Sequence, residues 1–311
     1  MAVRAFAPAK INLYLHVVGR RADGYHLLDS LIAFADIGDT ITAAPADALL
    51  LTVDGPEAAG IAGLGDDNLV LRAARLLKER GGIDTGAALH LEKRLPAAGG
   101  IGGGSSDAAA TLRALSHLWE RPVDDEALTA LALELGADLP ACLAARPVWV
   151  GGIGEQLQPA PFVPTAGIVL ANPRRPLPTA EVFRRRAAPF SSPARFDPVP
   201  ADAAGLAAAL APRRNDLTEA AVALAPEIGA VLDRLAGLRG ALLARMSGSG
   251  ATCFALFVDR AAALAAGRAL AAAEPGWWTA AGALLTAAPS LERIANGSSH
   301  LILGHGSHIS A

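Results

Sequence analysis

The stretch from Lys93 to Ala109 reads Lys-Arg-Leu-Pro-Ala-Ala-Gly-Gly-Ile-Gly-Gly-Gly-Ser-Ser-Asp-Ala-Ala, and five of the six positions from Gly99 to Gly104 lack a side chain. Such a backbone can take positive φ angles and approach a ligand that any Cβ would hold off. Ser105, Ser106 and Asp107 then stand where they would cap an alanine-rich helix over Ala108 to Leu115. A glycine loop feeding a helix N-terminus collects free N–H groups and about half a positive charge, the setting of an anion. The anion expected here is a nucleotide phosphate. No Gly-Lys-Ser/Thr closes the loop as in a P-loop, and Ser105 occupies the place of the third glycine of a dinucleotide fingerprint. A flexible linker would not sit between the strand-like Ala88 to Leu91 and a capped helix.

The phosphate site must be local, because a net charge of −3 provides no general attraction for nucleic acid or an anionic membrane. Of the 311 residues 52% are hydrophobic, but much of that is alanine and charged residues interrupt the long runs, as Arg268 does between Ala261 and Ala273. No segment reaches the ~20 apolar residues of a spanning helix. The opening Met1-Ala2-Val3-Arg4 lacks a secretion signal's apolar core. These features predict a cytoplasmic globular protein with no membrane or nucleic-acid partner. Cys142 and Cys253 lie far apart without a Cys-x-x-Cys or clustered histidines, which leaves them as buried small hydrophobes.

Ahead of the loop, Ala5 to Val18 is strand-like, with polar residues at 10, 12, 14 and 16 against apolar ones at 11, 13, 15 and 17. Lys10 and Asn12 therefore share a face, as an exposed edge or as a ligand-facing pair. Tyr25 and His26 follow a polar turn, where they suit either recognition of a planar ring or simple packing. Short strands are expected at 31–34, 36–41 and 49–53, and a helix over 68–80 stopped by Gly81 and Gly82. A second helix over 124–135 ends at Gly136; the Asp138 just beyond it is a helix cap or a base.

The second half predicts a strand from Ile168, a short helix opened by Thr179, and helices over 201–210, 216–224 and 226–238. Strands over 240–246 and 252–257 flank Ser247-Gly248-Ser249-Gly250, a hairpin turn or a second phosphate-facing loop. A helix over 259–273 and a strand over 277–285 follow, making an α+β domain of two strand-helix-strand units. Past residue 291 the composition turns to glycine, serine and histidine, which predicts a flexible tail without function.

Taken together, Pro8 to Leu13, Asp23 to His26, Leu95 to Ala109, Gly136 to Pro140 and Ser247 to Gly250 resemble the GHMP kinase superfamily, over roughly residues 3 to 285. Lys10-x-Asn12 and Asp23-Gly24-Tyr25-His26 place it nearest the branch that phosphorylates a cytidine diphosphate-linked methylerythritol for isoprenoid precursors. Homoserine- or mevalonate-type kinases and an inactive ligand-sensing homologue are the alternatives.

The resemblance implies an α+β, two-domain GHMP kinase-like fold. Its N-terminal domain, 1–157, would be ribosomal protein S5 domain 2-like and carry ATP and the base. Its C-terminal domain, 158–290, would be ferredoxin-like and serve the substrate, with 291–311 as tail. By resemblance Lys10 and Asp138 form the catalytic pair. Asn68, Leu69 and Lys93 match positions around the adenine, Pro96 also belongs to the ATP site, and Gly99, Gly100, Gly102, Gly103, Gly104, Ser105 and Ser106 hold the ATP phosphates. Asn12 lies near the substrate phosphates, Asp138 and Thr179 also bind the substrate, and Tyr25 and Phe183 take the faces of the cytosine while His26 reads its edge. ATP and Mg²⁺ are the implied cofactors, the metal held through the ATP phosphates with no protein ligand assigned, in a monomer or homodimer. Ala98 stands where the family often has glycine, Ile101 replaces a leucine, and Ala141-Cys142-Leu143 is less aromatic than the family's segment.

Overall fold

The computed structural model describes residues 1–120, 124–160, 163–197 and 200–295. Two long strands, β1 (Ala2–Arg20) and β2 (His26–Ala46), pair antiparallel along nearly their whole length. The two short strands expected over 31–34 and 36–41 are thus one, because β1 supplies a continuous partner ladder. β3 (Leu49–Asp54), α1 (Leu69–Gly81), β4 (Gly86–Glu92), α2 (Gly103–Leu118), α3 (Asp125–Leu135), α4 (Leu139–Ala144), β5 (Val148–Gly151) and β6 (Gln156–Pro159) complete the first half. β4 joins β2, β3 runs parallel to β4, and β5 and β6 branch from β2 into a seven-stranded sheet. α1, α2 and α3 cover one face over a core that includes Ala7, Ile41, Leu77, Leu91, Leu112 and Leu115.

The second half contains β7 (Gly167–Asn172), α5 (Thr179–Arg185), α6 (Ala203–Leu210), α7 (Thr218–Leu224), α8 (Glu227–Ala236), β8 (Leu243–Met246), β9 (Cys253–Phe257), α9 (Arg260–Ala273) and β10 (Trp278–Ala283). Its sheet order is β10-β7-β9-β8 with antiparallel neighbours throughout. The units β7-α8-β8 and β9-α9-β10 are the two strand-helix-strand repeats read from the sequence. Asp259 caps α9 through the Ala262 N–H at 2.8 Å.

The halves do not keep separate cores. Ile11 and Leu13 of β1 bury with Ile168, Leu170 and Phe254 of the second sheet in one cluster. Arg245, itself buried, donates to the carbonyls of Leu13 and Arg213, each at 2.6 Å, and of Leu210 at 3.0 Å. Burial beside Arg213 pulls its pKa down to about 10. One correction falls at the end of the chain: Glu292–Ile294, placed in the flexible tail by composition, forms β11 and pairs with β1 at Ala2 to Arg4. The open edge of β1 offers unpaired backbone groups that override composition. The rest of the expected tail, from 296, lies outside the described residues.

Candidate active site

β1 leaves its ladder with β2 at one place that matters. The register shifts between Pro8 and Lys10, and the Lys10 N–H donates to the Ile101 carbonyl at 2.9 Å. Pro8 has no N–H to give, and its carbonyl accepts the Ser106 hydroxyl at 2.8 Å. The strand thereby docks the glycine loop on one side and α2 on the other.

The loop takes left-handed φ at Gly100 (+73°) and at Gly102 (+64°). A Cβ on Gly102 would sit 3.0 Å from the Lys10 Cβ and 3.2 Å from its Cε. α2 begins at Gly103, five residues earlier than the sequence suggests, so Ser105, Ser106 and Asp107 form its first turns and do not cap it. Gly102 precedes the helix with no side-chain cap. The first N–H groups of α2 have no intrahelical acceptor, and they open beside Lys10. An anion there would receive several backbone donors and the positive end of a 16-residue helix.

Ala98 is also left-handed, at φ +51°. An L-residue loses roughly 1–2 kcal/mol in that region. Ala98→Gly is therefore expected to raise stability, by about 0.5–1 kcal/mol once glycine's greater unfolded freedom is subtracted. The urea midpoint checks this; a lower midpoint would show that the Ala98 methyl contributes more than the strain it causes.

Lys10 is buried, and its Nζ lies 2.8 Å from Asp138 Oδ2. Burial opposes its charge, but the Asp138 carboxylate outweighs that cost and the net pKa is raised above the ordinary 10.5. Asp138 occupies the N-cap position of α4 without capping it; its half-exposed carboxylate faces Lys10. Cys142, one turn on, is buried against the same pair, and burial pushes its thiol up to about 11. It stays protonated and small.

Asn12 donates its side-chain amide to Ser30 Oγ at 2.9 Å and its backbone N–H to Ser247 Oγ at 3.1 Å. Its Oδ1 is buried without a partner among the described residues. The loop Ser247 to Gly250 packs directly on the first glycine loop. Thr252 N–H donates to the Gly99 carbonyl at 3.0 Å, and Ser247 Oγ to that of Gly100 at 3.3 Å. A Cβ on Gly248 would lie 2.5 Å from the Gly100 carbonyl. This second loop is thus more than a hairpin turn: it is the wall against which the first is set. Ser249 Oγ in turn bonds Thr179 Oγ1 at 2.8 Å, which draws the start of α5 to the same place.

Three of the expected site residues also have partners within the protein. Asn68 spends its side chain capping α1 through the Val70 N–H at 2.9 Å, while the neighbouring Leu69 borders the position a Gly104 Cβ would take, 3.4 Å away. The Lys93 side chain points beneath the loop: Nζ sits 2.6 Å from both Asp39 Oδ2 and Asp107 Oδ2, and the residue is 1% exposed. Its backbone is engaged too, N–H to Asp54 O at 2.7 Å and carbonyl to Glu57 N–H at 3.0 Å. His26 stacks on Phe183, centroids 5.2 Å apart, so it covers one face of that ring, and Tyr25 beside it is 61% exposed. Burial, then Arg20 and Arg186, pull the His26 pKa below 6.5 and leave a neutral imidazole that can both donate and accept.

Residues that the sequence did not single out complete the frame. Arg174 makes a bidentate pair with buried Glu57 at 2.9 and 2.7 Å, joining the two halves next to the loop. Asn172 donates to Thr252 Oγ1 at 2.9 Å. Asn215 ties the second loop to the segment that is bonded to β1. None of the three sits in a local pattern that would mark it.

The profile of the GHMP kinases N terminal domain matches residues 68–146, and that of the GHMP kinases C terminal domain matches 201–276. The chain is 54% identical over 280 residues to the 4-diphosphocytidyl-2-C-methyl-D-erythritol kinase of Paramagnetospirillum magneticum, covering 90% of this chain and 98% of that protein. It is 51% identical to the kinase of the same name from Rhodospirillum rubrum, covering 90% and 91%. Among solved structures, a 4-(cytidine 5'-diphospho)-2C-methyl-D-erythritol kinase superposes with a TM-score of 0.72 at 38% identity, covering 90% of this chain and 98% of that one. A homoserine kinase from Cytophaga hutchinsonii follows at 0.71 and 18% identity, covering 94% and 97%, a likeness of fold. With both profiles met in order, and with relatives more than half identical along nearly their whole length, the chain belongs to the GHMP kinases and is an ATP-dependent small-molecule kinase.

Proposed function

We propose that the chain transfers the γ-phosphoryl group of ATP to the 2-hydroxyl of 4-diphosphocytidyl-2-C-methyl-D-erythritol, in the non-mevalonate route to isoprenoid precursors. The observation that carries the chemistry is the Lys10–Asp138 pair, 2.8 Å apart, beside the uncapped N-terminus of α2. The alcohol oxygen bonds to the γ-phosphorus, its proton passes to the Asp138 carboxylate, and the bond from the γ-phosphorus to the bridging oxygen breaks to leave ADP. The Lys10 ammonium stabilises the negative charge on the attacking and equatorial oxygens, and the α2 N–H groups hold the phosphates.

Among the described residues no cluster of three His, Cys, Asp or Glu side chains could form a resident metal cage. Mg²⁺ carried on phosphates needs only one or two protein oxygens. The Ser105 hydroxyl, in the first turn of α2, fits that need. When bound, Mg²⁺ neutralises charge on the β- and γ-phosphates.

The cytosine site is assigned to Tyr25, His26 and Phe183. With one face of Phe183 covered by His26, Tyr25 supplies the open stacking face, and the neutral imidazole supplies a donor and an acceptor at the ring edge. Tyr25→Ala removes an exposed ring and should leave the fold intact. Stacking on an aromatic is worth ~1–3 kcal/mol, so KM for the cytidine substrate should rise roughly five- to 150-fold with KM for ATP nearly unchanged. An equal rise for both substrates would place Tyr25 outside the base site.

On this reading residues 1–157 carry ATP and the base, and 158–290 close the acceptor side. No helix among the described residues is long and apolar enough to cross a membrane. The working state is a cytoplasmic monomer or homodimer without nucleic acid. Incubation with ATP and the cytidine-linked alcohol, followed by phosphorus NMR, should reveal a new phosphomonoester. Turnover of homoserine or mevalonate in its place would move the protein to another branch.

A further inference from the structure

The second glycine loop poses a mechanical problem. Ser247 to Gly250 carries little side-chain mass, and Gly248 and Gly250 are both left-handed at φ +54° and +86°. Such a segment has high unfolded freedom and cannot hold its own position. Yet it meets the Gly100 carbonyl at a distance that leaves no slack, with 2.5 Å to the oxygen from a Gly248 Cβ. Something outside the loop must fix it.

Asn215 does so with every hydrogen-bonding atom of its side chain. Its Nδ2 donates to the Met246 and Gly248 carbonyls, each at 2.8 Å, and its Oδ1 accepts the Leu217 N–H at 2.9 Å. Two carbonyls on one side and an N–H on the other leave a single orientation for the amide. The residue is 5% exposed. Its backbone neighbours are stitched to β1, Leu15 N–H to the Arg214 carbonyl at 3.0 Å and Asp216 N–H to the Leu15 carbonyl at 2.9 Å. Asp216 Oδ2 further accepts the Val17 N–H at 2.8 Å. Asn215 therefore joins the strand that carries Lys10 and Asn12 to the loop that braces the phosphate cradle.

We infer that Asn215 is a positioning residue of the phosphoryl-transfer site, setting the Ser247–Gly250 loop against Gly99 and Gly100 so that the cradle closes on the γ-phosphate end of ATP. The inference rests on the reading of the Gly99–Gly104 loop as the ATP phosphate site. Asn215 touches neither substrate; it acts through the loop.

Asn215→Asp tests it, since the carboxylate keeps the shape and the acceptor but turns an oxygen toward two carbonyls. The expected result is at least a tenfold fall in kcat with a rise in KM for ATP. Asp259→Ala, which removes the α9 cap, is the matched control and should lower the thermal midpoint while kcat and KM for ATP stay at the parent values. Asn215→Asp with parent kinetics overturns the inference. So does an activity loss seen only where the protein has begun to unfold. Should Asn215→Asp fail to fold, Gly248→Ala displaces the same loop from the Gly100 side and should give the same kinetic signature; parent behaviour there also overturns it. Hydrogen exchange separates this inference from the ATP reading itself. Amides of 247–252 and 99–104 should exchange at least tenfold faster in the Asn215 or Gly248 variant than in the parent, with or without any kinase turnover. Unchanged exchange in those segments refutes the positioning role even if the enzyme is an ATP kinase.

Discussion

Asp138→Asn is expected to lower kcat by roughly 10² to 10⁴ while ATP binding stays near the parent value. The amide keeps the shape of the carboxylate beside Lys10 but cannot take the alcohol proton. Because Asp138 does not cap α4, its loss removes no helix-end bond, and the folded state should survive. Lys10 has the complementary role. Its pKa lies above 10.5, so the ammonium is fully present through the neutral range and is lost only as pH rises past that value. Any fall in rate between pH 8 and 10 therefore belongs to another group. Lys10→Ala combined with Asp138→Asn should cost little more than the worse single change, as members of one catalytic unit are far from additive. Stopped-flow or steady-state kcat for the three variants, with ATP binding measured separately, decides it. Parent turnover in Asp138→Asn would make the residue structural.

What the sequence revealed and what it hid follow from where each signal resides. The glycine loop was legible because its information is local: absent side chains make close backbone approach possible. Gly136 ending α3 was read for the same reason, since a helix stop acts within a few residues. The start of α2 was misplaced because two glycines are poor helix formers, and only docking against Lys10 and Pro8 makes Gly103 and Gly104 helical. Asn215 was invisible, because its partners Met246 and Gly248 lie 31 and 33 residues away. β11 was hidden by a tail-like composition, since the pairing depends on an unfilled edge at the far end of the chain. The resemblance put Lys93 at a position around the adenine but carried no direction for its side chain, which charge complementarity with residues 54 and 14 positions distant draws inward.

That inward Lys93 sets the second large effect. One cation lies between two carboxylates, but they are not equally served. Asp39 accepts Lys93 Nζ at 2.6 Å and the N–H groups of Arg94 and Leu95 at 2.5 and 2.8 Å. Asp107 has the ammonium, and its Oδ1 is buried with no partner among the described residues. Burial raises the Asp107 pKa well above 3.8, with Asp39 adding to the effect and Lys93 opposing it. Burial likewise opposes the charge on Lys93, and the two carboxylates overcome it to raise its pKa. Lys93→Met strips the only cation from this triad and leaves two carboxyls facing each other under Gly103, whose Cβ would lie 3.2 Å from Nζ. Breaking a buried pair in this way costs about 3–5 kcal/mol, or roughly 10 °C in Tm for a chain of this size. A raised acid binds its proton more tightly when folded, so its stabilising contribution is greatest below pH 3.8 and declines as pH rises through the folded value. The Lys93→Met protein should accordingly recover part of its loss at acidic pH, and Asp107→Asn added to it should recover part at neutral pH. Thermal midpoints of the single and double variants across pH 5 to 8 test this. A Lys93→Met protein with the parent midpoint and a raised KM for ATP would instead place the ammonium at the nucleotide.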